Sequence, residues 1–131
     1  MTLLVANASE AIMLENFLNK SASQDLVFRL YSNDVTPAEA DVVGTYTEVV
    51  GGGYSSTAIT AANWTVTPGN PTAADYPLIA TVFTGTFGNV YGYFITQATS
   101  GALMWAERFD TTINIQNPSD TINVTLNITL E

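Results

Sequence analysis

Polar and apolar residues alternate almost without a break over the last twelve residues, from Asp120 to Glu131. A β-strand sends successive side chains to opposite faces of its sheet, so this pattern predicts one long strand. Its apolar face comprises Ile122, Val124, Leu126, Ile128 and Leu130. Its polar face carries no charge and comprises Asn123, Thr125, Asn127 and Thr129. Because an uncharged strand has little protection against further pairing, we expect a neighbouring strand or subunit to cover that polar face.

Strand-like segments recur from Asp25 onward, separated by turns rich in Gly, Pro, Asn and Asp. About eight short strands at such spacing are typical of an antiparallel β-sandwich, here jelly-roll-like, and predict an all-β fold. Gly92 is expected to mark a bulge or a close backbone approach, and Gly51–Gly53 a turn with positive φ. The strands that precede the terminal one are expected at residues 26–31, 45–50, 56–60, 64–67, 78–84, 90–96, 103–109 and 111–116.

One N-terminal helix is expected over residues 7–20. Asn7 can cap it, with Glu10 completing a capping box. Helical spacing places four apolar residues on one face, namely Ala11, Leu14, Phe17 and Leu18. We therefore divide the chain into an N-terminal arm and helix (residues 1–24), which is a candidate docking segment, and a β-sandwich domain (residues 25–131).

The charge of the chain excludes some partners. Twelve acidic residues against three basic ones (Lys20, Arg29 and Arg108) give a net charge of −9. A protein that binds nucleic acids or anionic membrane surfaces needs a cluster of basic residues on its surface, so we expect neither as a partner. The apolar runs fall short of the roughly 20 residues that span a bilayer. The residues after Met1 lack the features of a signal peptide, so we expect synthesis in the cytoplasm without secretion.

The residue types also argue against catalysis. The sequence has no cysteine and no histidine, which rules out disulfides and thiolate nucleophiles and removes the commonest general base and zinc ligand. The densest acidic group, Asp34, Glu39 and Asp41, does not fit a calcium-loop register. We therefore expect no catalytic, cofactor-binding or metal-binding residues, no cofactor and no enzymatic activity.

The segment Trp105-Ala-Glu-Arg-Phe109 is the most distinctive short motif. Its scarce arginine predicts a specific ion pair for Arg108, or equally for Arg29, across strands or subunits. The strand aromatics, among them Trp64, Tyr91, Tyr93, Phe94 and Trp105, are interpreted as core or interface anchors, with a carbohydrate-binding surface as the alternative. The candidate interface residues are Leu14, Phe17, Arg29, Trp105, Arg108, Asn123, Thr125, Asn127 and Thr129.

Four segments carry a resemblance, namely Leu30-Tyr-Ser-Asn-Asp-Val-Thr-Pro37, Gly51-Gly-Gly-Tyr54, Val90-Tyr-Gly-Tyr-Phe94 and Leu103-Met-Trp-Ala-Glu-Arg-Phe109. With them the chain resembles small structural proteins encoded among the virion genes of tailed bacteriophages, in particular capsid cement (decoration) proteins. The resemblance implies a homotrimer that binds the major capsid protein, stabilises the shell and resides in the virion after synthesis in the host cytoplasm. Two alternatives stay open: a tail or fibre component with a receptor- or glycan-binding β-sandwich and, least favoured, a glycan hydrolase.

Overall fold

The computed structural model describes residues 3–130, which form one α-helix and ten strands. Met1, Thr2 and Glu131, which belong to the predicted arm and terminal strand, lie outside the described residues. The all-β fold with an N-terminal helix is confirmed, and the sandwich arrangement stays a prediction. The elements are β1 (Leu3–Val5), α1 (Asn7–Phe17), β2 (Leu26–Tyr31), β3 (Thr57–Ile59), β4 (Thr65–Thr67), β5 (Thr72–Asp75), β6 (Ile79–Val82), β7 (Gly88–Gln97), β8 (Leu103–Ile115), β9 (Thr121–Val124) and β10 (Asn127–Leu130), with 3₁₀ turns at Val43–Thr45 and Ala61–Asn63.

The strands form three sheets in which all pairs are antiparallel. The five-stranded sheet has the order β1-β8-β7-β2-β3, the three-stranded sheet β10-β5-β4, and the two-stranded sheet β6-β9. The long strands β7 and β8 form a hairpin whose turn is closed by the Gly101 amide donating to the Gln97 carbonyl at 3.0 Å. Because β1 pairs with β8, residues 3–5 of the predicted arm belong to the five-stranded sheet.

The five-stranded sheet is buried on both faces. Alternation along β7 sends Tyr93 and Ile95 to one face and Phe94 to the other. The larger core cluster, on the first face, also includes residues from the two-stranded sheet, among them Ile79 and Ile122. The smaller cluster, on the second face, consists of Ala6, Tyr31, Tyr46, Phe94, Leu103 and Ala106. A sheet with apolar side chains on both faces needs cover on both, and the loops and the smaller sheets supply it.

Gly92 lies at a register shift between β7 and β8, as expected from the sequence. A Cβ atom at this position would overlap the Glu107 carbonyl oxygen and approach the Tyr31 Oη to 2.6 Å. Only glycine therefore allows the two strands to meet here. The expected glycine turn is also confirmed, since Gly51–Gly53 all have positive φ.

A second irregularity lies near the other end of this hairpin. Ile95 pairs with Trp105, whereas Thr96 pairs with Leu103, so Met104 is an extra residue on β8. Both Met104 and Trp105 consequently pack in the larger core cluster, although they are consecutive in the sequence. This bulge places two large side chains on the face of the sheet that α1 contacts.

The prediction of a single terminal strand is wrong. The chain breaks between β9 and β10, because the Leu126 carbonyl accepts a hydrogen bond from the Tyr76 amide at 3.0 Å instead of continuing the β9 ladder. β9 pairs with β6, and β10 pairs with β5 in a different sheet. The apolar row is buried as far as Leu126, but Leu130 is 74% exposed.

Three other expectations about elements are also wrong. Residues 45–50 form no strand and contribute only an isolated bridge between Glu48 and Tyr31. The two strands expected at residues 103–109 and 111–116 form one strand, β8. In addition, β5 was not foreseen, because its sequence, Thr-Ala-Ala-Asp, is a weak strand former. Asn7 does not cap the helix: Ala6 is the N-cap residue and makes no side-chain capping bond.

Candidate association site

Helix α1 is held to the domain by residues other than its apolar face. The Asn7 amide donates to the Glu39 carbonyl at 2.9 Å, and the Ser9 Oγ donates to the Ala6 carbonyl at 2.7 Å. Ser9 is the buried residue of the helix, and Ile12 packs against the larger core cluster. The inward face of α1 is therefore narrow and partly polar.

The four residues predicted to form the apolar face of the helix are Ala11, Leu14, Phe17 and Leu18, here called the α1 stripe. All four are exposed, Phe17 to 85%. Leu14 and Leu18 are 58% and 57% exposed. Ala11, Leu14 and Phe17 lie on the side of α1 opposite Ser9 and Ile12, because successive residues are rotated by about 100° around the helix axis. Leu18 follows them directly as the C-cap residue. The stripe exists as the sequence indicates, but it faces away from the core of its own chain.

A cavity of about 310 Å³ opens beside α1. Its walls come from α1, from the β7–β8 hairpin and from the three-stranded sheet, and none of its lining residues is charged. The lining consists of Met13, Asn16, Ser23, Gln24, Leu26, Trp64, Ala74, Gln97, Met104, Trp105 and Ile128. An apolar cavity of this size, open to solvent, is able to accept an apolar group of a ligand or of another protein.

The three-stranded sheet turns an apolar face toward this cavity. Ala74 pairs with both Val66 and Ile128, so these three side chains share a face, and Leu130 follows on the same face of β10. Val66 is 62% exposed and Leu130 is 74% exposed. Exposed apolar side chains therefore lie on the sheet as well as on α1.

Two glutamine amides define the polar end of the cavity. The Gln97 Oε1 accepts a hydrogen bond from the Ser100 Oγ at 2.6 Å, and the Gln24 Oε1 accepts from the Ser100 amide at 3.0 Å. The first bond closes the turn of the β7–β8 hairpin, and the second ties this turn to the segment that follows α1. The amide oxygens are thus used within the chain, and the remaining lining is mostly carbon.

A buried polar group lies next to the cavity. Glu107 is 7% exposed and accepts a hydrogen bond from the Tyr93 hydroxyl. Burial raises the pKa of Tyr93 above its ordinary value, and the bond to Glu107 raises that pKa further. The indole N–H of Trp105 makes no hydrogen bond within residues 3–130, but it lies close enough to this hydroxyl to lower its pKa. The arrangement keeps the tyrosine protonated and its partner oxygen satisfied.

The two candidate arginines form ion pairs inside the chain. The Arg29 Nη1 lies 2.7 Å from the Glu48 Oε2, and its Nε donates to the Thr96 Oγ1 at 3.1 Å. The Arg108 Nη1 lies 2.7 Å from the Asp34 Oδ1, not against the adjacent Glu107. Arg108 therefore ties a loop to β8, and contact of either arginine with another subunit stays a prediction.

The remaining candidate interface residues differ in their exposure. Trp105 is only 3% exposed and lines the cavity from the core side. The Asn/Thr row is exposed, but Asn123 lies on β9, Thr125 lies in the break after it, and Asn127 and Thr129 lie on β10, so the row does not form one continuous face. The strand aromatics do not form a platform either, since Tyr93, Phe94 and Trp105 are buried.

Sequence reasoning did not foresee the cavity. Its walls include Met13, Trp64, Ala74 and Ile128, which come from four separate parts of the chain and share no local pattern. Among the lining residues, Trp64 and Trp105 carried a signal as the two tryptophans among the strand aromatics. A cavity formed by elements far apart in sequence depends on tertiary packing, which alternation alone does not reveal.

Three further findings bear on function. Within residues 3–130 no group of three or more acidic side chains is placed to hold a metal ion. None of the helices described is long and apolar enough to cross a membrane. No family model, curated protein or solved structure matches this chain, so its function has to be argued from the geometry of its own residues.

Proposed function

We propose that this chain is a non-enzymatic structural protein that binds the outer surface of a bacteriophage capsid as a cement or decoration protein and stabilises the shell. The observation that carries the proposal is the exposure of the α1 stripe. A soluble domain rarely turns the best apolar face of a helix toward water unless another molecule covers it. The phage setting rests on the resemblance of the sequence to virion proteins.

The energy available from the stripe suits a docking role. Leu14, Phe17 and Leu18 are each more than half exposed. Complete burial of one such side chain is worth about 1.5–3 kcal/mol, so the stripe supplies on the order of 5 kcal/mol. That is modest for a single contact, but several such contacts per oligomer add up across a repetitive shell.

The charge distribution supports the same proposal. A chain with a net charge of −9 is soluble as a free subunit but repels other acidic surfaces. An uncharged apolar stripe is the part of such a chain that can approach another protein surface without this repulsion. The partners proposed are the major capsid protein and further copies of the chain, three per oligomer, in a virion assembled in the host cytoplasm.

Binding to shells that lack the protein would test the proposal. We expect the Leu14→Gln/Leu18→Gln double variant to lose at least about tenfold in affinity for the shell, because two buried leucines are lost. Val50→Gln is a matched control, since Val50 is 83% exposed and lies outside α1 and the cavity. Copies bound per shell are counted by quantitative mass spectrometry. Equal occupancy by the double variant and by the control would overturn the proposal.

A second candidate is a tail or fibre component with a receptor- or glycan-binding module. The observation that favours it is the cavity, in which the partly exposed ring of Trp64 lies near the side chains of Gln24 and Gln97. An aromatic face with amide groups beside it is chemistry that suits a sugar ring. Binding on a glycan array that Trp64→Ala abolishes would favour this candidate, and an array without signal would remove it.

A further inference from the structure

We propose that Phe17 of one copy of this chain inserts into the cavity beside α1 of a second copy. The inference deepens the proposed function and rests on it, because it names the partner of the most exposed residue of the α1 stripe. Phe17 is 85% exposed. The cavity in turn is open to solvent and measures about 310 Å³.

The ring and the cavity lie on the same rim of the molecule. Phe17 is the last residue of α1 and directly follows Asn16, which lines the cavity. Met13, another lining residue, lies one helical turn before Phe17. When two such rims meet about a two-fold axis, each Phe17 faces the cavity of the other copy. A cyclic exchange in a ring of three fills every cavity in the same way.

Size and charge both fit this occupant. An apolar cavity of about 150 Å³ is sufficient to bind benzene, and the cavity here measures about 310 Å³. It therefore accepts a phenyl ring and leaves room at its mouth for a neighbouring leucine. Its lining carries no charge, which matters because two copies of a chain with a net charge of −9 repel each other elsewhere.

A single ring is too small a contact for a stable oligomer. One aromatic side chain buries about 150–250 Å² of surface. Stable interfaces bury roughly 1,200 Å² or more in total. The surroundings of the cavity supply further apolar area. Val66 and Leu130 continue the surface along the three-stranded sheet, while Leu14 and Leu18 stay available for the shell. The exchange of Phe17 thus lies beside a larger apolar surface.

Tryptophan fluorescence can report the exchange directly, because both tryptophans of the chain, Trp64 and Trp105, line the cavity. We expect the wild-type protein to form an oligomer in light scattering, with tryptophan emission shifting to longer wavelength as dilution dissociates it. Phe17→Gln should raise the dissociation constant at least about tenfold, so that the emission shift moves to at least about tenfold higher protein concentration. Val50→Gln should behave as wild type.

A second variant fills the cavity instead of removing the ring. Ala74→Leu extends a side chain from β5 into the cavity and should weaken self-association while Phe17 is intact. Circular dichroism checks that each variant folds. A monomeric wild-type protein at about 100 μM, the concentration range in which contacts of this size assemble, would overturn the inference. So would Phe17→Gln or Ala74→Leu oligomers with unchanged affinity.

The two proposals fail in different experiments. Persistent self-association of Phe17→Gln removes the exchange and says nothing against shell binding through Leu14 and Leu18. Unchanged shell occupancy by the Leu14→Gln/Leu18→Gln variant would overturn the proposed function. The oligomer mass and the tryptophan emission of Phe17→Gln would still show whether Phe17 joins two copies.

Discussion

Alkaline pH should unfold this protein over a narrow range, because four of its six tyrosines have raised pKa values. Burial is the largest cause in each case, and it raises the pKa of Tyr31 to about 12. The pKa values of the other three tyrosines are also raised above their ordinary value, and a carboxylate beside each hydroxyl raises them further. These pairs are Tyr46 with Asp41, Tyr54 with Glu48 and Tyr93 with Glu107.

The direction of the effect follows from the protons that each state binds. In the unfolded chain a tyrosine loses its proton near pH 10, whereas these four keep theirs in the folded state. Above pH 10 the folded state therefore binds more protons, and the free energy of unfolding falls as the pH rises. At pH 11 each of these four tyrosines lowers the free energy of unfolding by about 1.4 kcal/mol relative to pH 8, or by about 6 kcal/mol in all. This is comparable with the total stability of a small domain, about 5–15 kcal/mol.

The chain suits this measurement because few other groups titrate in the same range. It has no histidine and no cysteine, and Lys20 is its single lysine. The free energy of unfolding in urea, followed by circular dichroism from pH 8 to pH 11, should stay level to about pH 9.5 and then fall steeply. Below the transition, absorbance at 295 nm should show that at least four tyrosines keep their protons.

Tyr46→Phe provides the control for this prediction. It removes one titrating hydroxyl, so the slope above pH 10 should decrease by about a quarter. Its stability at pH 8 should fall by only about 1 kcal/mol, because one partly buried hydrogen bond to Asp41 is lost. A stability that does not change between pH 8 and pH 11, or a folded protein at pH 11 in which fewer than four tyrosines are protonated, would refute the reasoning.

Three other substitutions test the packing, each by urea unfolding. Gly92→Ala should cost at least about 2 kcal/mol because its Cβ meets the opposite backbone, while Gly44→Ala, with no atom near its Cβ, should be close to neutral. Tyr93→Phe should cost about 2 kcal/mol or more, because it leaves the buried Glu107 carboxylate without its donor. Arg108→Glu should lower the free energy of unfolding by about 1 kcal/mol, since the ion pair of Arg108 with Asp34 is partly exposed. A variant with unchanged stability and unchanged assembly would contradict a structural role for Arg108.

The sequence was most informative where a local constraint has one structural solution. The run of apolar and aromatic residues over Val90–Thr96 identified β7, because a strand buried on both faces requires apolar residues at most positions. Gly92 was identified for the same kind of reason: the strands meet so closely that no other residue fits. The turn at Gly51–Gly53 was foreseen because positive φ strongly favours glycine.

Other parts of the fold depend on partners that are distant in sequence. β5 is a strand because β4 and β10 pair with its two edges, not because its residues favour extended backbone. The terminal segment keeps its alternation through Leu126, but the Tyr76 amide takes the carbonyl of that residue, and the chain then enters another sheet. Periodicity reports which side chains share a face. It does not report how many sheets the strand joins.

The same limit explains why the sequence predicts the helix and its apolar face but does not identify what that face contacts. Helical spacing places Leu14, Phe17 and Leu18 on one face whether that face meets the core of the same chain or another molecule. The domain attaches α1 through β1, a few backbone contacts and Ile12, which is enough to position the helix without using its stripe. If the stripe served the chain's own stability, replacing Phe17 with glutamine would lower the free energy of unfolding of the monomer. Because the ring is 85% exposed, we expect no such loss, and association is then the property that the stripe supports.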